Sequence, residues 1–99
     1  MRSVDNLDLV RWQEMDSIHV LRLLAEHIKE DPSFHPRSSH LTSRWHVHAA
    51  CQDWEFLCTG PKFWDVRMDI GGGGAIDLVM HIHRLNFKAA AKMLKERDV

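Results

Sequence analysis

The chain has 99 residues, of which 44% are hydrophobic and 27% charged, and its formal net charge is −1. These values are typical of a soluble globular protein with one modest core. They exclude a membrane-embedded chain, because no apolar run approaches the roughly 18 residues that a membrane-spanning helix needs. We therefore expect a single soluble domain over residues 1–99.

The first ten residues, MRSVDNLDLV, contain no secretion signal. They lack a basic region followed by an apolar segment and a cleavage site, which favours a cytoplasmic protein. Cys51 and Cys58 are too few for a disulfide framework, and the cytoplasm keeps thiols reduced. We expect both cysteines to be free thiols.

The N-terminal half predicts one amphipathic helix followed by a polar loop. Asp16 is a suitable N-cap, and Pro32 disfavours helical geometry in the residue before it, so the helix is predicted to run from Asp16 to about Asp31. Its apolar residues at helical spacing are Ile18, Leu21, Leu24, Ala25 and Ile28. The loop is predicted over residues 31–43. For residues 1–15, a short helix packed on the core and a frayed arm both remain open.

The middle of the chain changes to strand patterns. Residues 44–49 alternate apolar and polar side chains, and residues 54–59 are rich in residues that favour strands. A turn at 59–62 then leads into a hairpin partner at 63–66. These segments predict a small antiparallel sheet.

Two helices are predicted after the four glycines Gly71–Gly74. Residues 75–85 are apolar on nearly every side, which is typical of a helix buried against a sheet. Asn86 is predicted to cap the last helix. The core-facing stripe of that helix is predicted to consist of Phe87, Ala90, Ala91 and Leu94. The predicted fold class is therefore α+β, with a small antiparallel sheet packed against about three helices.

The glycines allow two interpretations. Flexible backbone at a helix N-terminus can hold a phosphate. However, the segment lacks the Gly-Lys-Ser/Thr ending of a P-loop, and Ile76 stands where a dinucleotide-binding fingerprint needs its last glycine. Asp77 in the first helical turn would also repel an anion. The sequence therefore favours a close turn from strand to helix.

The eight histidines suggest a metal site. His46 and His48 would face the same side of a strand, near both cysteines, and zinc accepts such ligands. Against this, there is no Cys-x-x-Cys pair, and His81 and His83 would point about 200° apart on a helix. We expect no bound metal and no cofactor.

The sequence offers no convincing catalytic set. No cysteine stands next to an evident base. The carboxylates of Asp65, Asp69 and Asp77 are predicted to lie in a loop, where such groups are common. We expect no enzymatic activity.

Positive charge is concentrated late in the chain. Lys88, Lys92 and Lys95 fall at i, i+4 and i+7 of the last predicted helix, and Arg84 precedes it, so these residues predict one basic stripe. Such a stripe can pair with phosphates. The alternative is a solvated helix face.

A second basic group lies on the predicted sheet. Lys62 and Arg67 flank Phe63 and Trp64, which would place charge beside a ring that can stack on a base. This combination suits a single strand of nucleic acid. The alternative is that both rings belong to the core.

Residues 56–94, FLCTGPKFWDVRMDIGGGGAIDLVMHIHRLNFKAAAKML, resemble the zinc-binding domain of bacterial DnaG-type primases and the related primase-like domains of plasmids, phages and integrative elements. In that family a β-hairpin leads through a glycine-containing turn into a buried helix, and a Ser/Asn-Phe pair then opens a final helix. The residues that match the first helix are Ala75, Ile76, Asp77, Leu78, Val79 and Met80. Those that match the second are Asn86, Phe87, Ala90 and Leu94.

The chain departs from the family at the zinc ligands. When the buried helices are aligned, the family's Cys-x-x-Cys pair falls at Val66 and Asp69. Its Cys-x-x-His pair falls near residues 44–48, where only His46 and His48 are candidate ligands. The resemblance therefore implies a zinc-ribbon-like domain without zinc, in which packing replaces the metal. Aromatic residues concentrate in this region, namely Trp45, Trp54, Phe56, Phe63 and Trp64.

The resemblance implies a role in DNA processing, because the family's zinc domain contacts single-stranded template and performs no chemistry itself. We expect a non-catalytic module that binds single-stranded DNA in the replication or conjugation system of a plasmid, phage or integrative element. The expected contacts are Lys62, Trp64, Arg67, Arg84, Lys88, Lys92 and Lys95. The alternative is a protein-docking module on a replication or transfer protein, which an exposed apolar patch on the N-terminal segment or on residues 16–30 would favour.

Overall fold

The computed structural model describes residues 4–37 and 40–99. Within these ranges the elements are α1 (Asn6–Glu14), α2 (Ser17–Leu24), β1 (His27–Glu30), β2 (Ser43–Ala49), β3 (Gln52–Thr59), β4 (Lys62–Asp65), β5 (Ile70–Gly73), α3 (Ala75–His83) and α4 (Phe87–Glu96). The predicted α+β class is confirmed. Residues 1–3 and 38–39, parts of the predicted N-terminal segment and loop, lie outside the described ranges. No helix in those ranges is both long enough and apolar enough to cross a membrane.

The five strands form one antiparallel sheet in the order β1-β2-β3-β4-β5. Side chains alternate between its two faces. The face that packs against the helices carries Trp45, Val47, Ala49, Trp54, Phe56, Cys58, Phe63 and Asp65. The opposite face has exposed or half-buried side chains, and we call it the open face. The three predicted strands of the middle segment are confirmed as β2, β3 and β4.

The helices form two layers over the buried face. α3 packs on the sheet, and the ring of its His81 lies 5.5–6.1 Å from three aromatic ring centroids of β3 and β4. α4 packs on α3. Asn86 caps α4 as predicted, because its side chain accepts a hydrogen bond from the Ala89 N–H at 2.8 Å. Ala90, Ala91 and Leu94 face the core as predicted. Phe87 does not; it lines a groove beside α1 and is half exposed.

Residues 6–14 form a helix packed on the core, which decides between the two alternatives for this segment. Asp5 and Asp8 form a capping box at its start. Trp12 is fully buried, and its Nε1 donates to the carbonyl oxygen of Val99 at 3.0 Å. This indole joins α1 to the residues that follow α4.

The predicted helix over residues 16–31 is correct only in its first half. α2 ends at Leu24, and the residues that follow form the edge strand β1. The backbone N–H groups of Glu26 and Asp31 donate to carbonyls of the β2 region at 2.9 and 2.8 Å. Pairing with a strand that is distant in the chain therefore overrides the local helical spacing.

Three of the four glycines form a strand, so the prediction of a simple turn is wrong for them. Gly71 lies opposite Trp64, and Gly72 lies opposite Phe63. A Cβ atom on Gly71 would stand 2.6 Å from Cε3 of Trp64, and one on Gly72 would stand 2.9 Å from Cζ of Phe63. Glycine is needed here because the two rings pack against the backbone of β5. Gly74 alone makes the turn, as the N-cap of α3 with φ of 90°.

Candidate nucleic-acid interface

The open face brings together basic, acidic, aromatic and aliphatic side chains of β2, β3 and β4. These residues are Arg44, His46, His48, Asp53, Glu55, Leu57, Lys62 and Trp64. Arg67, in the turn after β4, reaches back over β3 through hydrogen bonds to Asp53 and Glu55. The sheet part of the predicted site, Lys62, Trp64 and Arg67, is therefore assembled on one surface.

Trp64 supplies an aromatic surface on this face. It is 42% exposed, whereas its neighbours Phe63 and Asp65 point to the buried face. Its ring lies over Gly71 of the adjacent strand, and the exposed Lys62 stands two residues away on the same face. A half-exposed indole beside an ammonium group can stack on a base while the charge pairs with a phosphate.

Two arginines share one carboxylate on the open face. Arg67 Nη2 donates to Oε1 of Glu55 at 3.3 Å, and Arg44 Nη2 donates to Oε2. The hydrogen bond from Arg44, followed by that from Arg67, lowers the pKa of Glu55 although burial opposes this. Glu55 is thus ionised at neutral pH. Arg44 Nε also lies 3.9 Å from Oδ2 of Asp31, so two carboxylates balance the two guanidinium groups.

His46 and His48 both face the open side, as their alternation predicted. His48 Nδ1 lies 2.8 Å from an oxygen of Asp53, and this hydrogen bond raises the pKa of His48. His46 lies 3.7 Å from Asp31 and 3.8 Å from Glu55. Across residues 4–37 and 40–99, no group of three or more His, Cys, Asp or Glu side chains is arranged to hold a metal ion.

The basic residues of the helical part lie on a different surface. Arg84 is the C-cap of α3 with φ of 55°, and Lys88 and Lys92 are exposed on α4. Because α3 packs between α4 and the sheet, this stripe and the open face belong to different layers. The structure therefore divides the predicted site into two separate surfaces.

Lys95 is engaged in an internal ion pair. Its Nζ lies 2.7 Å from Oδ2 of Asp8 in α1, and its side chain is mostly buried. Lys92, by contrast, lies 3.8 Å from Glu96 with both side chains exposed. An ammonium group already bonded to a carboxylate inside the fold has little capacity for a phosphate, so the exposed part of the stripe consists of Arg84, Lys88 and Lys92.

Asp65, which is predicted to lie in a loop, is a buried carboxylate at the end of a strand. It ends β4, and its Oδ1 accepts hydrogen bonds from the backbone N–H groups of Arg67 and Met68, each at 3.0 Å. Its Oδ2 lies 2.6 Å from Nε2 of His81 in α3. The carboxylate thus fixes the turn that carries Arg67. Strand alternation from the buried Phe63 was the signal that could have found it, since it puts Asp65 on the core side.

The start of α3 already holds a carboxylate. Asp77, which lies in the first turn of this helix and not in a loop, accepts a hydrogen bond from the Gly73 N–H at 3.0 Å. Gly74 N donates to the carbonyl of Pro61 at 3.0 Å. Negative charge at this position opposes a phosphate. The geometry favours a structural role for the glycines.

Both cysteines are free. Cys51 is exposed, and Cys58 lies in the core, where burial raises the pKa of its thiol to about 11. Cys58 is therefore protonated at neutral pH and contributes to the packing of β3.

Exposed apolar side chains, the feature that would favour a docking module, occur on α1 and α2. They are Leu7, Val10 and Leu23. Val10 shares a groove with Phe87 of α4, so two of the chain's exposed apolar side chains stand together.

No protein-family model, no curated protein and no solved structure matches the chain. The resemblance to primase zinc-binding domains remains an interpretation of the sequence pattern.

Proposed function

We propose that the domain binds single-stranded DNA on its open face, as a non-catalytic accessory of a plasmid, phage or integrative-element replication or conjugation system. The observation that carries the proposal is the half-exposed Trp64 ring on the open face, with Lys62 beside it. The type of system comes from the sequence resemblance alone.

Two physical terms support binding at this surface. Stacking of one base on an aromatic side chain contributes about 1–3 kcal/mol and tolerates any base. Lys62 and Arg67, which are both exposed, supply attraction for the phosphates. The bond to Asp53 raises the pKa of His48, so protonation of His48 as the pH falls neutralises the Asp53 carboxylate on this face.

The proposed contacts are fewer than the sequence predicted. Lys62, Trp64 and Arg67 are retained because they share the open face. Lys95 is left out because Asp8 neutralises it. Arg84, Lys88 and Lys92 form a separate basic surface, which contributes long-range attraction without touching the strand bound at Trp64.

The test is fluorescence anisotropy of a labelled twelve-nucleotide oligothymidine, titrated with the domain at 50 and 200 mM salt, with duplex DNA in parallel. Replacing Trp64 with Ala is expected to weaken binding about 5- to 150-fold, which corresponds to the stacking energy of one base. Phe87→Ala is the matched control, because it removes an exposed aromatic ring on the helical side.

Binding that is tight only at the lower salt and prefers the single strand supports the proposal. Equal affinity of the Trp64→Ala and wild-type proteins would remove the open face from it. If neither DNA form binds at 50 mM salt, the proposed function is wrong.

A further inference from the structure

The two edges of the sheet differ in how they are protected against pairing with another chain. β1 reads HIKE and is followed by Asp31 and Pro32, so charged side chains and a proline guard that edge. β5 reads IGGG, and three of its four residues have no side chain. The β5 edge lacks the usual protection.

Part of the β5 backbone is available for hydrogen bonding. Because Gly74 N donates to the carbonyl of Pro61, the alternation of an antiparallel ladder turns Gly72 toward β4 and turns Gly71 and Gly73 outward. The Gly73 N–H is bonded to Asp77. Within the described residues, the outward N–H of Gly71 and the outward carbonyls of Gly71 and Gly73 have no hydrogen-bond partner.

A groove of about 310 Å³ adjoins this edge. It lies between α1, the Gly73–Gly74 end of β5, and the first turns of α3 and α4. Its apolar lining is Leu9, Val10, Ile76 and Phe87. Asp77, which is exposed, is the one charged side chain in the lining.

We propose that β5 and this groove bind an extended segment of a partner protein by strand addition. The segment hydrogen-bonds to the free backbone groups of Gly71 and Gly73, and alternate apolar side chains enter the groove. A Lys or Arg of the segment pairs with Asp77. The proposal does not rest on DNA binding, although the β5 edge adjoins Trp64, whose ring lies over Gly71.

A second copy of the chain fits the edge less well than a partner segment. Two β5 strands would place glycine opposite glycine, and cross-strand side-chain pairs are what stabilise a sheet. Such a contact would leave most positions of the two strands without cross-strand side-chain pairs, whereas a stable dimer typically buries about 800 Å² on each partner. A partner with side chains fills the groove that glycines leave empty.

The proposal is tested with a phage-displayed library of random twelve-residue peptides, selected against the intact domain. The expected peptides alternate apolar residues and carry a basic residue near one end. Val10→Asp and Phe87→Ser should each lower the affinity of the domain for a selected, resynthesised peptide at least tenfold. Leu23→Ser is the matched control, because Leu23 is 47% exposed, close to the 52% and 53% of the two groove residues, and lies outside the groove. The Leu23→Ser variant should bind the peptide with the affinity of the wild type.

A second measurement needs no variant of the protein. The selected peptide is synthesised with alternate backbone amides N-methylated, in each of the two registers. Strand addition uses every other amide, so one register should lose binding at least tenfold and the other should keep it. Equal effects in both registers would overturn strand addition.

Two further results would overturn the proposal. One is that the library yields no peptide whose binding is weakened by Val10→Asp. The other is a concentration-dependent dimer in sedimentation that Val10→Asp abolishes, which would make a second copy the occupant.

Discussion

Asp8 joins the first helix to the last. One carboxylate oxygen accepts a hydrogen bond from Lys95 at 2.7 Å, and the other accepts one from Arg11 at 3.1 Å. The bond from Lys95 is the main cause that lowers the pKa of Asp8 from 3.8 to about 2. A carboxylate with a lowered pKa in the folded state stabilises the fold above its unfolded pKa, and this contribution is lost as the pH falls.

This linkage predicts a specific acid sensitivity. The urea midpoint of the wild type should fall between about pH 4 and pH 2, and Asp8→Asn should flatten part of that fall because it removes the titrating group. Lys95→Met should flatten the same window, since it removes the main cause of the shift. Asp31 and Glu55, whose pKa values are also lowered, account for the remaining slope. An Asp8→Asn variant with the wild-type slope would contradict the assignment.

Sequence patterns correctly predicted which face of the sheet some side chains occupy. They did not predict the hydrogen bond between Asp65 and His81. The alternation of β2 correctly placed His46 and His48 on one face. The pairing of Asp65 with His81 joins residues 16 positions apart through the packing of α3 on the sheet. No periodicity within either segment encodes that contact, so it becomes visible only once the helix is placed.

At the scale of the element, β5 is a strand although three of its four residues are glycine, which is depleted in strands. Gly71 and Gly72 pair with β4 because the rings of Trp64 and Phe63 occupy the space of their missing side chains. Gly74 has φ of 90° and ψ of 164°, a conformation essentially restricted to glycine. The three positions therefore need glycine for two different reasons.

Alanine substitutions in this segment should differ strongly in how much they lower the free energy of unfolding. Gly74→Ala is expected to lower the free energy of unfolding by about 1–3 kcal/mol or more, from backbone strain and from the approach of Gln13 Cα to 3.0 Å. Gly72→Ala should cost about 1–3 kcal/mol because its Cβ crowds the ring of Phe63. Gly73→Ala is the control, with a change within about 1 kcal/mol, since its nearest neighbour is 3.9 Å away. Urea denaturation gives the order, and a Gly73 variant as unstable as the Gly74 variant would refute it.

Element boundaries were predictable where local signals and pairing agree. The caps at Asp16 and Asn86 mark the starts of α2 and α4 correctly. The end of α2 could not be predicted, because residues 26–31 satisfy a helical spacing and yet pair with β2. This segment forms a strand because it pairs with β2, which lies some twenty residues further along the chain.

At the scale of the whole molecule, three layers separate the two basic surfaces. The open face lies on one side of the sheet, and α3 followed by α4 lies on the other. The sequence predicted which basic residues stand on helix or strand, but it joined them into one site because the layer of α4 depends on how α3 packs. Because the two basic surfaces are separate, an experiment can show which of them binds DNA.

The most direct measurement is an NMR titration of the ¹⁵N-labelled domain with twelve-nucleotide oligothymidine. Trp64 has the one exposed indole among four, because Trp12, Trp45 and Trp54 are buried. Binding on the open face predicts salt-sensitive shifts of the Trp64 indole N–H and of the amides of β3 and β4, with the amides of α4 unmoved. Shifts confined to residues 84–92, or no shifts at low salt, would contradict it.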